Sequence, residues 1–155
     1  MAAAGGLRGA LEAMLADKDA YRAPQALGPA YEQPQQVSDA TIDIYLQPHL
    51  RSAQRLRDLE RFLAAFDSSH TQRIEGGLRA LRAPTLVAWG TDDVYFDVRW
   101  SRWLAETIPG TRRRVEFDGA RIFFPEERWR DFNRELRHHW LAAAAPHAAA
   151  ESCAA

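Results

Sequence analysis

The sequence predicts a mixed α/β chain: a helical stretch over residues 1–80, then a βαβα unit with parallel strands over residues 81–141. Three observations carry this. Apolar residues over 7–15 and again over 52–66 recur at helical spacing. At Ala83 the texture changes, and Pro84 introduces the apolar run Thr85-Leu86-Val87-Ala88-Trp89, closed by Gly90. From there strand-like and helix-like segments take turns, and the segment between the two strands is long enough to hold a helix. That is the arrangement of parallel strands joined by a crossover.

In chain order, Leu7, Leu11, Met14 and Leu15 share one helical face. Pro24, Pro29 and Pro34 then favour extended or turn structure. Ser38 can cap a short helix over 39–45 that Pro48 ends. Residues 52–66 form a better helix, with Leu56, Leu59, Phe62, Leu63 and Phe66 in one stripe and Arg55, Arg57, Asp58 and Arg61 mostly opposite. Asp67, Ser68 and Ser69 interrupt it. The run 85–89 has the composition of a strand buried on both faces. Trp100, Trp103, Leu104 and Ile108 give a helix that Pro109-Gly110 stops. Residues 114–117 alternate as a second strand before the Asp118-Gly119 turn, with Arg112, Arg113 and Arg114 as its solvated start. Glu126 and Glu127 suit a helix N-terminus, and Trp129, Phe132, Leu136 and Trp140 stripe the last helix. Residues 142–155 are alanine-rich and read as a disordered tail.

The chain has 155 residues and a formal net charge of −1, so no global field draws it to nucleic acid or to a membrane surface. Lys18 is the only lysine, and the run of arginines at 112–114 is too short for a nucleic-acid footprint. Cys153 is the only cysteine, which excludes an intramolecular disulfide and a thiolate metal cluster. No apolar segment reaches transmembrane or secretory length. The expectation is a cytoplasmic protein with no cofactor, no metal, no nucleic-acid partner and no membrane partner.

The stretch Pro84-Thr85-Leu86-Val87-Ala88-Trp89-Gly90-Thr91-Asp92-Asp93 resembles the late strand and acid turn of the α/β-hydrolase-fold superfamily. Tyr95-Phe96, the Trp-rich helix, Ile108-Pro109-Gly110 and the loop Asp118-Gly119-Ala120-Arg121-Ile122-Phe123-Phe124-Pro125 are also similar to that family. The resemblance covers roughly residues 81–140. It implies a partial α/β-hydrolase fold, with residues 1–80 as a helical cap-like segment and 81–141 as the C-terminal βαβα part of the core. It gives Asp93 the position of the triad acid. Active members carry the catalytic histidine three residues after the loop glycine, and Ile122 stands there in this chain.

Hydrolysis on that scaffold needs a nucleophile on a sharp elbow, a histidine to move its proton, and an acid to hold the histidine's tautomer. No Ser, Cys or Asp here is flanked by glycines in the Gly-x-Ser-x-Gly manner. In the family's chain order the elbow precedes the acid and the cap, which places it upstream of Met1. The five histidines, His49, His70, His138, His139 and His147, all lie away from the expected loop. Asp93 is therefore either a triad-acid position or, with Asp92, a cap for the turn and the next helix. Tyr45, Tyr95, Phe96, Phe123 and Phe124 are candidate substrate-binding residues, or core aromatics. The favoured expectation is a truncated or catalytically incomplete hydrolase. The alternatives are an active subunit completed by another chain or by upstream sequence, and a non-catalytic module that binds a small molecule or a protein. Two strands alone leave an open sheet edge, so self-association or a complementary N-terminal half is the expected partner.

Overall fold

The structure is a computed structural model and describes residues 6–151. It is a mixed α/β chain that divides into two compact units. The first takes the residues before Ala30 together with Gln33–Gln72, and the second takes Ala30–Glu32 and the chain from Arg73 onward.

The first unit is helical. Its helices are α1 (Gly6–Ala16), α2 (Lys18–Arg22), α3 (Asp39–Leu50) and α4 (Ala53–Ala64), with α5 (Ser68–Arg73) at its end. The prolines fall where the sequence expects turns: Gly28–Ala30 and Pro34–Gln36 are single 3₁₀ turns. Short polar side chains set the helix starts. Asp17 Oδ1 accepts from the Asp19 amide at 3.0 Å, Ser38 Oγ from Thr41 at 3.1 Å and Ser52 Oγ from Arg55 at 3.2 Å. Each satisfies a backbone donor that the first turn leaves free. Helices α1, α2 and α4 pack on α3, where Ile42 and Leu46 are buried. Arg22 ties the proline segment down. It donates through Nε to the Val37 carbonyl at 3.0 Å and pairs with Asp19 and Asp39, and its hydrogen bond to Asp39 holds its pKa above the ordinary value.

Two expectations for this unit change. Helix α3 continues through Pro48 to Leu50. Proline removes one donor and crowds the carbonyl four residues back, but in the last turn that forfeits a single bond, so the helix survives two more residues. On α4, Leu56 is buried, whereas Phe62 is 62% exposed, and Phe66, past the end of the helix, is 75% exposed. The apolar stripe exists in the sequence, but most of its length has no cover.

The second unit carries the sheet. After α6 (Glu75–Ala80) come β1 (Thr85–Gly90), α7 (Arg99–Thr107), β2 (Thr111–Phe117), α8 (Phe124–Glu127) and α9 (Trp129–Glu151). The two strands pair in parallel, with Val87 opposite Arg114 and Gly90 opposite Phe117. This is the predicted βαβα order. Strand β2 begins at Thr111, three residues before the expected start, so the arginine run lies within the strand, with Arg112 and Arg114 exposed and Arg113 half-buried. Arg113 pairs with Glu135 of α9 at 2.6 Å.

The core of this unit gathers Phe117, Ala120 and Phe124, with Ala88, Val115 and Phe132 packed against them. The Phe124 ring stacks on Phe117 at 4.6 Å between centroids and meets Phe132 edge-on at 5.6 Å. Strand β1 is not buried on both faces as its composition predicts. Val87 is buried, while Leu86, Ala88 and Trp89 are half-buried. Faces are covered by helices rather than by strands: α7 packs on β1, whereas α9 packs on β2. One edge of β1 pairs with β2, and no further strand among the described residues lies beyond the other. Helix α9 continues to Glu151 through alanine-rich positions 142–151 that the sequence reading assigned to a disordered tail; alanine is the best helix former. Residues 152–155, the rest of that expected tail, lie outside the described residues.

Candidate functional site

Two close approaches position the site. The turn after β1 is bonded to the loop after β2 by three hydrogen bonds. The Thr91 amide donates to Phe117 O at 3.0 Å, the Asp92 amide to Ala120 O at 2.9 Å, and the Gly119 amide to Thr91 Oγ1 at 2.8 Å. Gly119 has φ +69°, a left-handed conformation that glycine adopts without strain. Gly90 lies flat against the same loop, and a Cβ there would stand 2.3 Å from Ala120 O. The glycine of the Gly-x-x-Asp turn is thus a packing requirement that spacing alone did not reveal.

These approaches frame an open pocket of about 450 Å³. Leu86, Ala88, Trp89 and Gly90 form its strand wall. Ile122, Phe124 and Pro125 come from the loop, Phe132 and Leu136 from α9, and Asp93 and Phe96 stand at the end of β1. The volume falls in the usual range for small-molecule sites, and Asp93 is the one charged residue in the lining.

Asp93 is half-buried, and its Oδ1 accepts from the Tyr95 amide at 2.8 Å and the Phe96 amide at 3.0 Å. This is a carboxylate capping a turn with its own downstream backbone. No histidine or basic side chain among the described residues hydrogen-bonds it. Ile122, half-buried, lines the same pocket and presents only an aliphatic surface. His138 sits instead on α9, where its Nδ1 meets Arg113 at 3.2 Å.

The candidate aromatics separate. Phe96 and Phe124 line the pocket, and Phe124 is at the same time a core residue, 5% exposed. Tyr95 is half exposed and outside the lining. Phe123 faces Tyr31, ring centroids 4.8 Å apart, and its amide donates to Ala30 O at 3.1 Å. Tyr45 belongs to α3 of the first unit and does not line this pocket. Sequence reasoning missed Tyr31, Glu32 and Arg128. Glu127 accepts from the Glu32 amide at 2.8 Å, and Glu32 in turn pairs with Arg128, holding that guanidinium above its ordinary pKa. The signal was absent because those partners lie about ninety-five positions apart in sequence.

Among the described residues no group of three or more His, Cys, Asp or Glu is arranged to hold a metal ion, and no helix is long and apolar enough to cross a membrane. No family model, no curated protein and no solved structure matches this chain.

Proposed function

We propose that this chain is an α/β-hydrolase-like unit without turnover of its own, whose pocket beside β1 holds an apolar small molecule. The observation that carries the reading is the pairing of Asp93 with Ile122 in one pocket. A triad acid must accept the Nδ1–H of an imidazole. Here the Asp93 Oδ1 already accepts two backbone amides, and the side chain at the relay position cannot bind a proton. The sequence has no nucleophile elbow to activate. What is left is an apolar wall of Leu86, Ala88, Phe96, Ile122 and Leu136, suited to bury aliphatic or aromatic surface.

A nitrophenyl ester assay tests the first half of the proposal. Turnover should equal that of buffer, and Ile122→His should not create it, because nothing is present to be deprotonated. Activity that scales with protein and survives repurification would sink the reading. Displacement of an apolar fluorophore by a short-chain ester tests the second half, and Ala88→Trp, which fills the pocket, should abolish that displacement.

A further inference from the structure

The pocket beside β1 is apolar on nearly every side, yet it holds one carboxylate. Leu86, Ala88, Ile122 and Leu136 offer aliphatic surface, and no arginine, lysine or histidine is in the lining. Trp89 brings the only side-chain donor, and its indole N–H is already given to Phe96 O at 2.8 Å. Asp93 is thus the one side chain of the wall with hydrogen-bonding capacity to spare.

A carboxylate has about four acceptor positions, two on each oxygen. The Tyr95 and Phe96 amides, at 2.8 and 3.0 Å, take up Oδ1. Oδ2 has no hydrogen-bond partner among the described residues, and it is not sealed in the interior. The half-buried Asp93 is therefore an anion held in place by its own turn, with one oxygen unoccupied at the end of an apolar wall. A group that meets this oxygen does not have to immobilise the side chain first, because the two amides already fix it, and such preorganisation favours binding.

The chemistry of the partner follows by exclusion. An anionic head would face Asp93 with no cation in the lining to offset it. A bare metal ion needs several ligands, and among the described residues no group of three His, Cys, Asp or Glu is placed to supply them. A hydrocarbon without a polar head would cover the free oxygen and leave it unpaired, which costs free energy. A protonated amine has none of these faults: its N–H groups donate to Oδ2, its charge matches, and its apolar body lies along the wall. Trp89 and Phe96 add aromatic surface to the same wall, which an ammonium group tolerates.

Building on the reading of this pocket as an apolar small-molecule site, we infer that its ligand is a primary or secondary amine, bound as the ammonium, with Asp93 Oδ2 accepting from the head group and the apolar wall covering the body.

Probes that share one apolar body and differ in the head separate this from the reading it rests on: phenethylamine, phenethyl alcohol and hydrocinnamate, titrated into the whole chain at neutral pH and followed by calorimetry and amide chemical shifts. The amine should bind about tenfold more tightly than the alcohol, as a charged hydrogen bond gives, and hydrocinnamate more weakly than the alcohol. The Tyr95 and Phe96 amides, which donate to the same carboxylate, should shift with the amine and far less with the alcohol. Asp93→Asn keeps an oxygen for those amides but removes the charge, and should bring the amine down to the affinity of the alcohol. If that variant does not fold, the head-group series and the two amide shifts in the wild type decide alone. Equal binding of amine and alcohol overturns the inference and leaves the apolar-pocket reading standing, as does a preference for the amine that persists in Asp93→Asn. Failure of every probe to bind also overturns it; an apolar fluorophore that still binds then shows that the pocket reading survives, and one that does not shows that both fall.

Discussion

Gly90→Ala is the sharpest test of how the turn after β1 is built. The added methyl would sit 2.3 Å from Ala120 O, 2.6 Å from Ala120 C and 3.0 Å from Arg121 N. All three obstacles are backbone, so no rotamer change relieves the clash. The oxygen contact is about 1 Å shorter than ordinary van der Waals separation. Ala120 is fully buried, which leaves the loop little room to retreat. Overpacking of this kind costs roughly 1–3 kcal/mol. A loop that moves away also strains the Asp92 to Ala120 and Gly119 to Thr91 hydrogen bonds, each contributing about 0.5–1.5 kcal/mol. The expected loss is about 2–5 kcal/mol. For a chain of this length, each kcal/mol moves the melting temperature by roughly 2–4 °C. Thermal melts should therefore place Gly90→Ala about 4–20 °C below the wild type. Gly76→Ala is the control: it lies within α6, its Cβ would meet nothing within 4 Å, and it should gain up to about 1 kcal/mol of helix propensity. A folded Gly90→Ala that melts within about 2 °C of the wild type would refute the close approach.

Asp93→Asn should be nearly silent in a melt, since an amide oxygen can still accept from Tyr95 and Phe96, whereas Asp93→Ala should cost about 0.5–2 kcal/mol; equal large losses from both would show that the charge itself matters. Phe124→Ala removes a ring held between Phe117 and Phe132 and should cost about 3–5 kcal/mol by chemical denaturation, so a loss below about 1 kcal/mol would contradict its place in the core. The hydrogen bond from Arg102, with Ser101 and Arg114 adding to it, holds Glu116 below the ordinary glutamate pKa. Its contribution is therefore complete above the ordinary glutamate range and is lost as pH falls through the lowered folded value. Acid titrations of stability should show that loss in the wild type and a shallower one in Glu116→Gln, with a difference under about 1 kcal/mol because the site is partly exposed; parallel titrations would remove Glu116 from the account.

The features legible in the sequence are those set by near neighbours. Ser38 and Ser52 begin their helices because a hydroxyl reaches an amide three residues on, and that geometry is the same in any surroundings. Pro109-Gly110 stops α7 for an equally local reason. The parallel pairing of β1 and β2 was readable too, because a helix-length connection leaves little alternative. Asp93 was readable as a turn cap because its amide partners are two and three residues away.

Burial was not legible in the same way. The composition of Leu86-Val87-Ala88-Trp89 indicates an apolar strand, but the helices that pack above and below it decide which faces are covered. Phe62 and Leu63 lie on a true helical face whose exposure depends on what packs there. The need for glycine at position 90 arises from Ala120, thirty residues later, and the anchoring of the loop before α9 depends on Tyr31 and Glu32, about ninety earlier. By itself the sequence determined the longer helices, the two strands, their order and the caps at Ser38 and Ser52, because those follow from interactions within about one helical turn. Only the tertiary structure decided which apolar faces are covered and that Asp93 and Ile122 share a pocket, because both depend on chain segments far apart in sequence meeting in space.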